Sequence, residues 1–452
     1  MRSLVTGATG FIGSHVAEIL RDRGHSVRLL VRDEKRLFPE LREGFEIVRG
    51  DVTQTPDDLQ KAVQGCDYVF HVAGLLKGRT QHDFIRVNAT GTKNLCQAIV
   101  QGQADVMRMV LVSSLAAIGP CEDSRDIVVE DRTPHPVTFY GRSKLLGEKF
   151  AREFQNKFPL TIIRPPAVYG PRDTGILEFF KFMAKGYSLQ FGEQEKVFSM
   201  IHGRDLARGI VESAMHDATV GEAFFLADAE PYPMGWTMAL LRETLKPSKN
   251  KVLSPPIWLA KMFARTNDII QFITRRPMLP NSDKMRELLP PYWVCSADKA
   301  KQVFGFESKI PIREGLAETA DWYIKNGWIK VRGRHSQPAP PRRKHHPRSK
   351  IATPRRGQRG ATNDDPCGNP PLYSGNQGGD AVMMRRRDSA FAGARKRHAK
   401  TALAETSATA NPNHTAQGGV ASPTTAESQG AGKARTADKW WPEPNTPHCV
   451  SA

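Results

Sequence analysis

Gly7, Gly10 and Gly13 lie between a short apolar run, Ser3 to Thr6, and a stretch with helical spacing that runs from Phe11 to Arg23 and stops at Gly24. That arrangement leaves the chain few options. A strand must turn sharply into a helix, and each glycine has a task there. Gly7 permits the turn, Gly10 lets backbone approach a bound group, and Gly13 lets helix and strand pack closely. The first N–H groups of the helix have no partner within it and carry partial positive charge, so a phosphate is the natural occupant. A glycine-rich turn without a ligand has the same spacing, and it is the flanking strand and helix that make the reading specific. Gly7, Thr9, Gly10, Phe11, Ile12 and Gly13 are the expected pyrophosphate contacts of a dinucleotide.

Further apolar runs follow at 27–31, 45–48, 68–72, 109–112 and 160–163, and a later one at 223–226. They are short, rich in Val and Ile, and do not alternate with polar residues. Helix-length segments separate them. Strands of that kind are buried on both faces, so the expected class is α/β, a doubly wound parallel sheet with a smaller C-terminal lobe. The dinucleotide-binding core is expected over 1–170, completed by about 200–228, with 171–330 mostly a substrate lobe closing over the carboxyl ends of the strands.

Charge belongs mainly to the end of the chain. Residues 331–452 hold 20 Lys and Arg against 8 Asp and Glu, so they carry +12 of the formal +18 and leave +6 for the rest. That segment is rich in Pro, Gly, Ser and Thr and poor in large apolar residues, the composition of a disordered basic tail. The high isoelectric point therefore describes the tail, and specific nucleic-acid binding by the enzyme portion is not expected. The six cysteines include no CxxC pair, which argues against a zinc site or disulfide framework; no metal is expected. No apolar run is long enough to span a bilayer and no leader precedes the first strand, so a cytoplasmic location is expected.

The second strand ends at Arg32, Asp33, Glu34, Lys35 and Arg36. Acid at this point favours a ribose hydroxyl, whereas Arg favours a 2′-phosphate. Arg32 and Arg36 point to NADP, and Asp33 keeps NAD open. Asp51 and Val52, directly after the third strand, are candidates for the adenine edge, with a turn cap as the alternative for Asp51. Tyr140 and Lys144 are four residues apart, hence on one helix face. Such a pair alone is usually a surface helix pair. Beside a strand-ending Ser114 and a dinucleotide loop, it is a general acid–base set. A phenol ionises near 10, and acting near neutral pH asks for a drop of about 3 units. One ammonium about 4 Å away in an effective dielectric near 20 supplies roughly 4 kcal/mol, enough for that drop. Lys144 would also hold the nicotinamide ribose, and Ser114 would orient the substrate oxygen.

Taken together, the segments TGATGFIG at 6–13, Ser113-Ser114, YGRSK at 140–144 and Arg164-Pro165 resemble the short-chain dehydrogenase/reductase family in its extended branch, over about residues 1–330. The resemblance implies a Rossmann fold and hydride transfer between NADP, or NAD, and a secondary alcohol or ketone. It implies that Val72, Ala73 and Gly74 flank the cofactor, that Pro166 and Val168 touch the nicotinamide carboxamide, and that Asn88 orders backbone or water near it. His202 and Asp205 match a motif read as structural. Sugar dehydratases of the family show Thr-Asp-Glu where this chain has Ser114-Leu115-Ala116, so dehydration is disfavoured. A hydrophobic or sterol-like substrate suits the reductase and steroid-type members. The alternatives are a nucleotide-sugar epimerase that retains its cofactor and a non-catalytic dinucleotide-sensing protein. Residues 255–273 form an amphipathic stretch that reads as core or subunit interface, with membrane-surface contact as the alternative. Resemblance also implies a homodimer.

Overall fold

The computed structural model describes residues 1–190 and 194–331. The expected tail, with its basic runs at 342–346 and 385–387 and its Trp440-Trp441 pair, lies outside the described residues from 332 onward.

The first half alternates strand and helix: β1 (Arg2–Thr6), α1 (Phe11–Asp22), β2 (Ser26–Val31), β3 (Glu46–Arg49), α2 (Pro56–Val63), β4 (Tyr68–His71), α3 (Gln81–Phe84), a π-helical turn (Ile85–Thr90), α4 (Gly91–Gln101), β5 (Arg108–Val112), α5 (Phe139–Arg152) and β6 (Leu160–Arg164). Then come β7 (Ala167–Tyr169), α6 (Leu177–Ala184), β8 (Tyr187–Leu189), β9 (Val197–Phe198), β10 (Met200–His202), α7 (Gly203–Ala214) and β11 (Ala223–Phe225). The remainder is β12 (Tyr232–Pro233), α8 (Met234–Leu245), β13 (Lys251–Leu253), α9 (Ile257–Thr274), α10 (Ser282–Leu288), β14 (Tyr292–Trp293), α11 (Asp298–Phe304) and α12 (Ile312–Lys325).

A seven-stranded sheet in the order β11-β6-β5-β4-β1-β2-β3 organises the described residues, and every pair in it is parallel. Successive strand residues serve opposite faces. Val5, Leu29, Phe70 and Val110 join the cluster under α1 and α7, while Leu4, Leu30, Val69 and Leu111 join the one under α2 and α4. That is why the strands inside the edge strand β3 show no polar alternation: along most of their length neither face meets water. The order reverses between β1 and β4, and in such sheets the crevice beyond the strand carboxyl ends at this point receives the ligand.

The lobe has its own core, in which Phe180, Leu240, Leu316 and Tyr323 pack together from α6, α8 and α12. The segment 171–330 does not all belong to it. Ala300, Phe304 and Phe306, around α11, pack into the sheet-side cluster with Phe224 and Leu226. The expectation of core packing for 255–273 is also corrected. In α9 the buried residues are Ala260, Ala264, Asn267 and Gln271, whereas Trp258, Met262, Phe263, Ile269 and Ile273 are exposed.

Candidate active site

Most site residues expected from the sequence directly follow a strand at its carboxyl end, because the strands are parallel; Asn88, Tyr140 and Lys144 come instead from helical segments. The first is the glycine turn. Gly7 has φ of +80°, and a Cβ there would lie 2.7 Å from the Ala73 nitrogen, so β1 and β4 exit in backbone contact. A Cβ on Gly13 would lie 2.4 Å from the Gly7 carbonyl oxygen, which leaves no side chain between turn and helix. Gly10 begins α1 without a side-chain cap, and the first turn holds no acid. The N–H groups at the start of α1 are therefore left for an outside acceptor, and the residues present fit a pyrophosphate. Phe11 contributes only backbone, since a Cβ on Gly203 would sit 2.4 Å from its ring. Thr9 and Ile12 are partly exposed beside it.

At the end of β2 the Arg32 guanidinium lies 3.5 Å from the Asp51 carboxylate and is largely exposed. Asp33 accepts a hydrogen bond from the Lys35 N–H at 3.0 Å, capping a short 3-10 turn, so one of its oxygens is engaged locally. Arg36 is exposed. Asp51 does act as a turn cap, accepting from the Thr53 N–H at 2.9 Å through its other oxygen. Val52 is buried, filling the space beside Gly91.

The acid–base set assembles at β5. Ser114 caps the turn Leu115–Ala117, accepting from the Ala116 N–H at 3.2 Å, and its hydroxyl lies near enough to the Tyr140 phenol to oppose the effect of burial on it. Helix α5 begins with Thr138 as its cap, accepting from the Gly141 N–H at 3.0 Å. One turn further, the Lys144 ammonium is buried and donates to the Val112 carbonyl at 2.8 Å. A Cβ on Gly74 would lie 3.0 Å from the Lys144 Nζ and 3.5 Å from the Asn88 Oδ1, which marks how closely the ends of β4 and β5 and the two helices converge.

The electrostatics differ from the sequence expectation. Burial pushes the Tyr140 phenol above its ordinary range, outweighing the opposing effect of Ser114. Burial also lowers the Lys144 ammonium to about 8, against the opposing charge of Glu148. The expectation of a phenol made acidic by the neighbouring cation is thus corrected for the protein by itself: desolvation dominates, and Nζ is directed at the Val112 carbonyl.

Sequence reasoning expected Asn88 to order backbone or water here but missed the other supports of this set. Asn88 sits in the π-helical turn, buried, with its amide bonded to backbone and to Ser143. Its Oδ1 accepts from the Leu75 N–H at 2.6 Å, and its Nδ2 donates to the Leu75 carbonyl at 3.1 Å and the Ser143 hydroxyl at 2.9 Å. Ser143 donates in turn to the Tyr140 carbonyl at 2.7 Å. Asn88 therefore orders backbone, with both of its amide N–H groups engaged within the protein. A second chain runs through His71. The Thr92 hydroxyl donates to the Asn88 carbonyl at 2.8 Å and so accepts from the His71 Nε2 at 3.0 Å. The His71 Nδ1 is then the acceptor for the Thr6 hydroxyl at 2.8 Å, and Thr6 accepts from the Ala73 N–H at 3.1 Å. Burial keeps His71 neutral, lowering it to about 3.

Two charged contacts hold α5 itself. Arg164 at the end of β6 forms a buried two-point pair with Glu148, at 2.7 and 3.1 Å. Asp283 from α10 accepts from the Phe139 N–H at 3.0 Å, at the helix N-terminus. A charged residue ending an apolar strand and an acid one turn beyond Lys144 were the only hints to the first, and the second is a lobe contact with no local signal. Pro166 and Val168 lie close by, since the Pro165 carbonyl accepts from the Leu115 N–H at 2.9 Å. Val72 and Ala73 are partly exposed and Gly74 is exposed at the end of β4. His202 and Asp205 are structural. His202 caps α7, and Asp205 accepts from the Lys309 and Ile310 N–H groups at 2.7 Å.

Comparison with known proteins agrees with this geometry. The profile described as NAD dependent epimerase/dehydratase family matches residues 3–227. A ceramide reductase of Caulobacter vibrioides is 32% identical over 330 residues, covering 72% of this chain and 95% of that protein. A 3 beta-hydroxysteroid dehydrogenase/Delta 5-->4-isomerase of Mycobacterium tuberculosis is 29% identical, over 72% of this chain and 90% of its own. Among solved structures, that of gox2253 superposes with a TM-score of 0.59 at 25% identity, over 73% of this chain and 99% of the other.

Proposed function

This chain belongs to the NAD dependent epimerase/dehydratase family, within the extended short-chain dehydrogenases/reductases, and from that premise we propose that it reduces a lipid-like ketone to a secondary alcohol with NADPH. The observation that carries the reading is the meeting of Ser114, Tyr140 and Lys144 at the end of β5, beside the glycine turn of β1. When bound, the nicotinamide dinucleotide supplies the hydride, or accepts it in the reverse direction.

The chain's own residues handle the oxygen and its proton. Ser114 holds the carbonyl oxygen, and Tyr140 donates its phenolic proton to that oxygen as it becomes a hydroxyl. A phenol raised by burial is fully protonated near neutral pH, so the protein by itself holds the acid form that reduction needs. Lys144, a buried cation one turn further along the same helix face, would stabilise the phenolate left behind until solvent returns the proton. The same groups run oxidation in reverse. No carboxylate stands at 114–116, so elimination lacks its acid and base.

NADP is favoured over NAD because Arg32 and Arg36 are both exposed at the end of β2, while one oxygen of Asp33 is engaged by the Lys35 N–H. The lipid-like substrate is supported by the named activities of the relatives, a ceramide reductase and a steroid dehydrogenase. The test is a cofactor-coupled assay of the purified protein with sterol and long-chain ketones. Loss of ketone in step with NADPH oxidation is expected. Turnover of a nucleotide sugar with a retained cofactor and no net oxidation would overturn the reading.

A further inference from the structure

Helix α9 is turned inside out for a globular protein. The stripe it packs inward is Ala260, Ala264, Asn267 and Gln271, made of small and polar residues. At 3.6 residues per turn, Trp258, Met262, Ile269 and Ile273 fall on the opposite side, with Phe263 and Ile270 next to them, an arc of roughly 140° interrupted only by Thr266. All six are exposed, Trp258 at 66% and Ile273 at 73%. An apolar face of this extent on a described surface needs an occupant.

The border of that arc identifies the occupant. Lys261 and Arg265 lie along one side of it, both exposed, and Arg275 and Arg276 follow the helix directly. The lone acid of the helix, Asp268, accepts from the Ser282 N–H at 3.3 Å on the side facing α10. An apolar arc almost without hydrogen-bonding groups, edged by cations, is the pattern of a helix lying in a lipid interface. A protein partner would be met with more donors and acceptors than Thr266 offers. In an antiparallel isologous pair of α9 helices the same borders meet, which would set Lys261 and Arg265 against their own copies.

We infer that α9 docks this protein on an anionic bilayer surface, lying in the headgroup plane without crossing it. No helix among the described residues is long and apolar enough to cross. The inward stripe ties that surface to the site. Gln271 donates to the Arg79 carbonyl at 2.9 Å, in the loop that follows Gly74, and α10 packs against α9 while its Asp283 holds the N-terminus of α5. A docked helix places the loop beside Tyr140 near the headgroups, where a lipid substrate of the proposed reaction resides. The inference draws on that reading for its purpose, but vesicle binding needs no turnover and is tested separately.

The experiment is co-sedimentation of the full chain with phosphatidylcholine vesicles, and with vesicles in which about one third of the lipid is phosphatidylglycerol. The wild type is compared with Ile269→Glu/Ile273→Glu and with Lys261→Glu/Arg265→Glu. All four positions are exposed, so far-UV circular dichroism and NADPH binding should be unchanged. The wild type should bind the anionic vesicles, and each double variant should bind them about tenfold or more weakly. Absence of wild-type binding overturns the inference. Equal binding by wild type and variants overturns it too, since the basic residues beyond 331 would then carry the attraction. A wild-type dimer in light scattering that Ile269→Glu/Ile273→Glu converts to a monomer would assign the face to a second copy instead.

Discussion

A side chain at Gly141 would have its Cβ 2.1 Å from the carbonyl oxygen of Ala116. The first turn of α5 therefore rests directly on the turn that Ser114 caps, and this contact brings Tyr140 close to Ser114. Gly141→Ala must push the helix off that turn. Overpacking of this kind costs about 1–3 kcal/mol, and it displaces the phenol as well. The melting temperature should fall by several degrees, and kcat by about tenfold or more with little change in cofactor affinity, as read by thermal denaturation and steady-state kinetics.

Tyr140→Phe removes the acid and keeps the ring that packs near Phe84, with centroids 6.3 Å apart. Turnover should drop by about 10²–10⁴. Cofactor binding, measured by fluorescence titration, should change little, because the glycine turn and the start of α1 are untouched.

Much of the fold was legible because a buried parallel strand has a simple signature, a short unalternating apolar run, and this chain has seven. The site was legible for a related reason: in a parallel sheet the residues after each strand share one edge. Gly7, Asp51, Gly74, Ser114 and Pro166 needed only that rule. What stayed hidden was set by contacts distant in sequence. The Glu148–Arg164 pair and Asp283 at the start of α5 are such contacts. The acidity of Tyr140 was misjudged because the sequence shows how close a cation is in the chain but not how much water burial removes. The core alternative for helix α9 was wrong because periodicity identifies an apolar face without saying which way it points.

Lys144 is buried while charged, and its lowered ionisation, to about 8, means that the folded state holds its proton less tightly than the unfolded chain does. The sign follows from linkage. The cost is fully present below pH 8 and is relieved as pH rises towards the unfolded value. Lys144→Met should abolish turnover, while its stability relative to the wild type is most favourable below pH 8 and declines between about pH 8 and 10.5. Chemical denaturation across that range is the measurement.

His71 behaves in the same sense, in a lower pH window. Its folded-state value, about 3, lies below that of the unfolded chain, so the contribution is present at neutral pH and is lost as pH falls from about 6.5 towards 3. Replacing it by Leu should make stability less steep over that window, although the orphaned Thr6 and Thr92 hydroxyls lower it at pH 7 by about 1–3 kcal/mol.

On the proposed reading, Arg32 and Arg36 at the end of β2 hold the 2′-phosphate of NADPH. Arg32→Ala/Arg36→Ala should weaken NADPH at least tenfold and leave NADH within about threefold, since a charge-assisted pair to a phosphate is worth roughly 1.5–3 kcal/mol. Binding titrations with both coenzymes check this.

Single-turnover reduction of a long-chain or sterol ketone, following NADPH and ketone together in wild type and Tyr140→Phe, is the most direct measurement. The wild type should consume the two in equal amounts, and Tyr140→Phe should bind both yet react about 10²-fold or more slowly. A Tyr140→Phe protein that reduces ketone at the wild-type rate would contradict the assignment of that phenol as the proton donor.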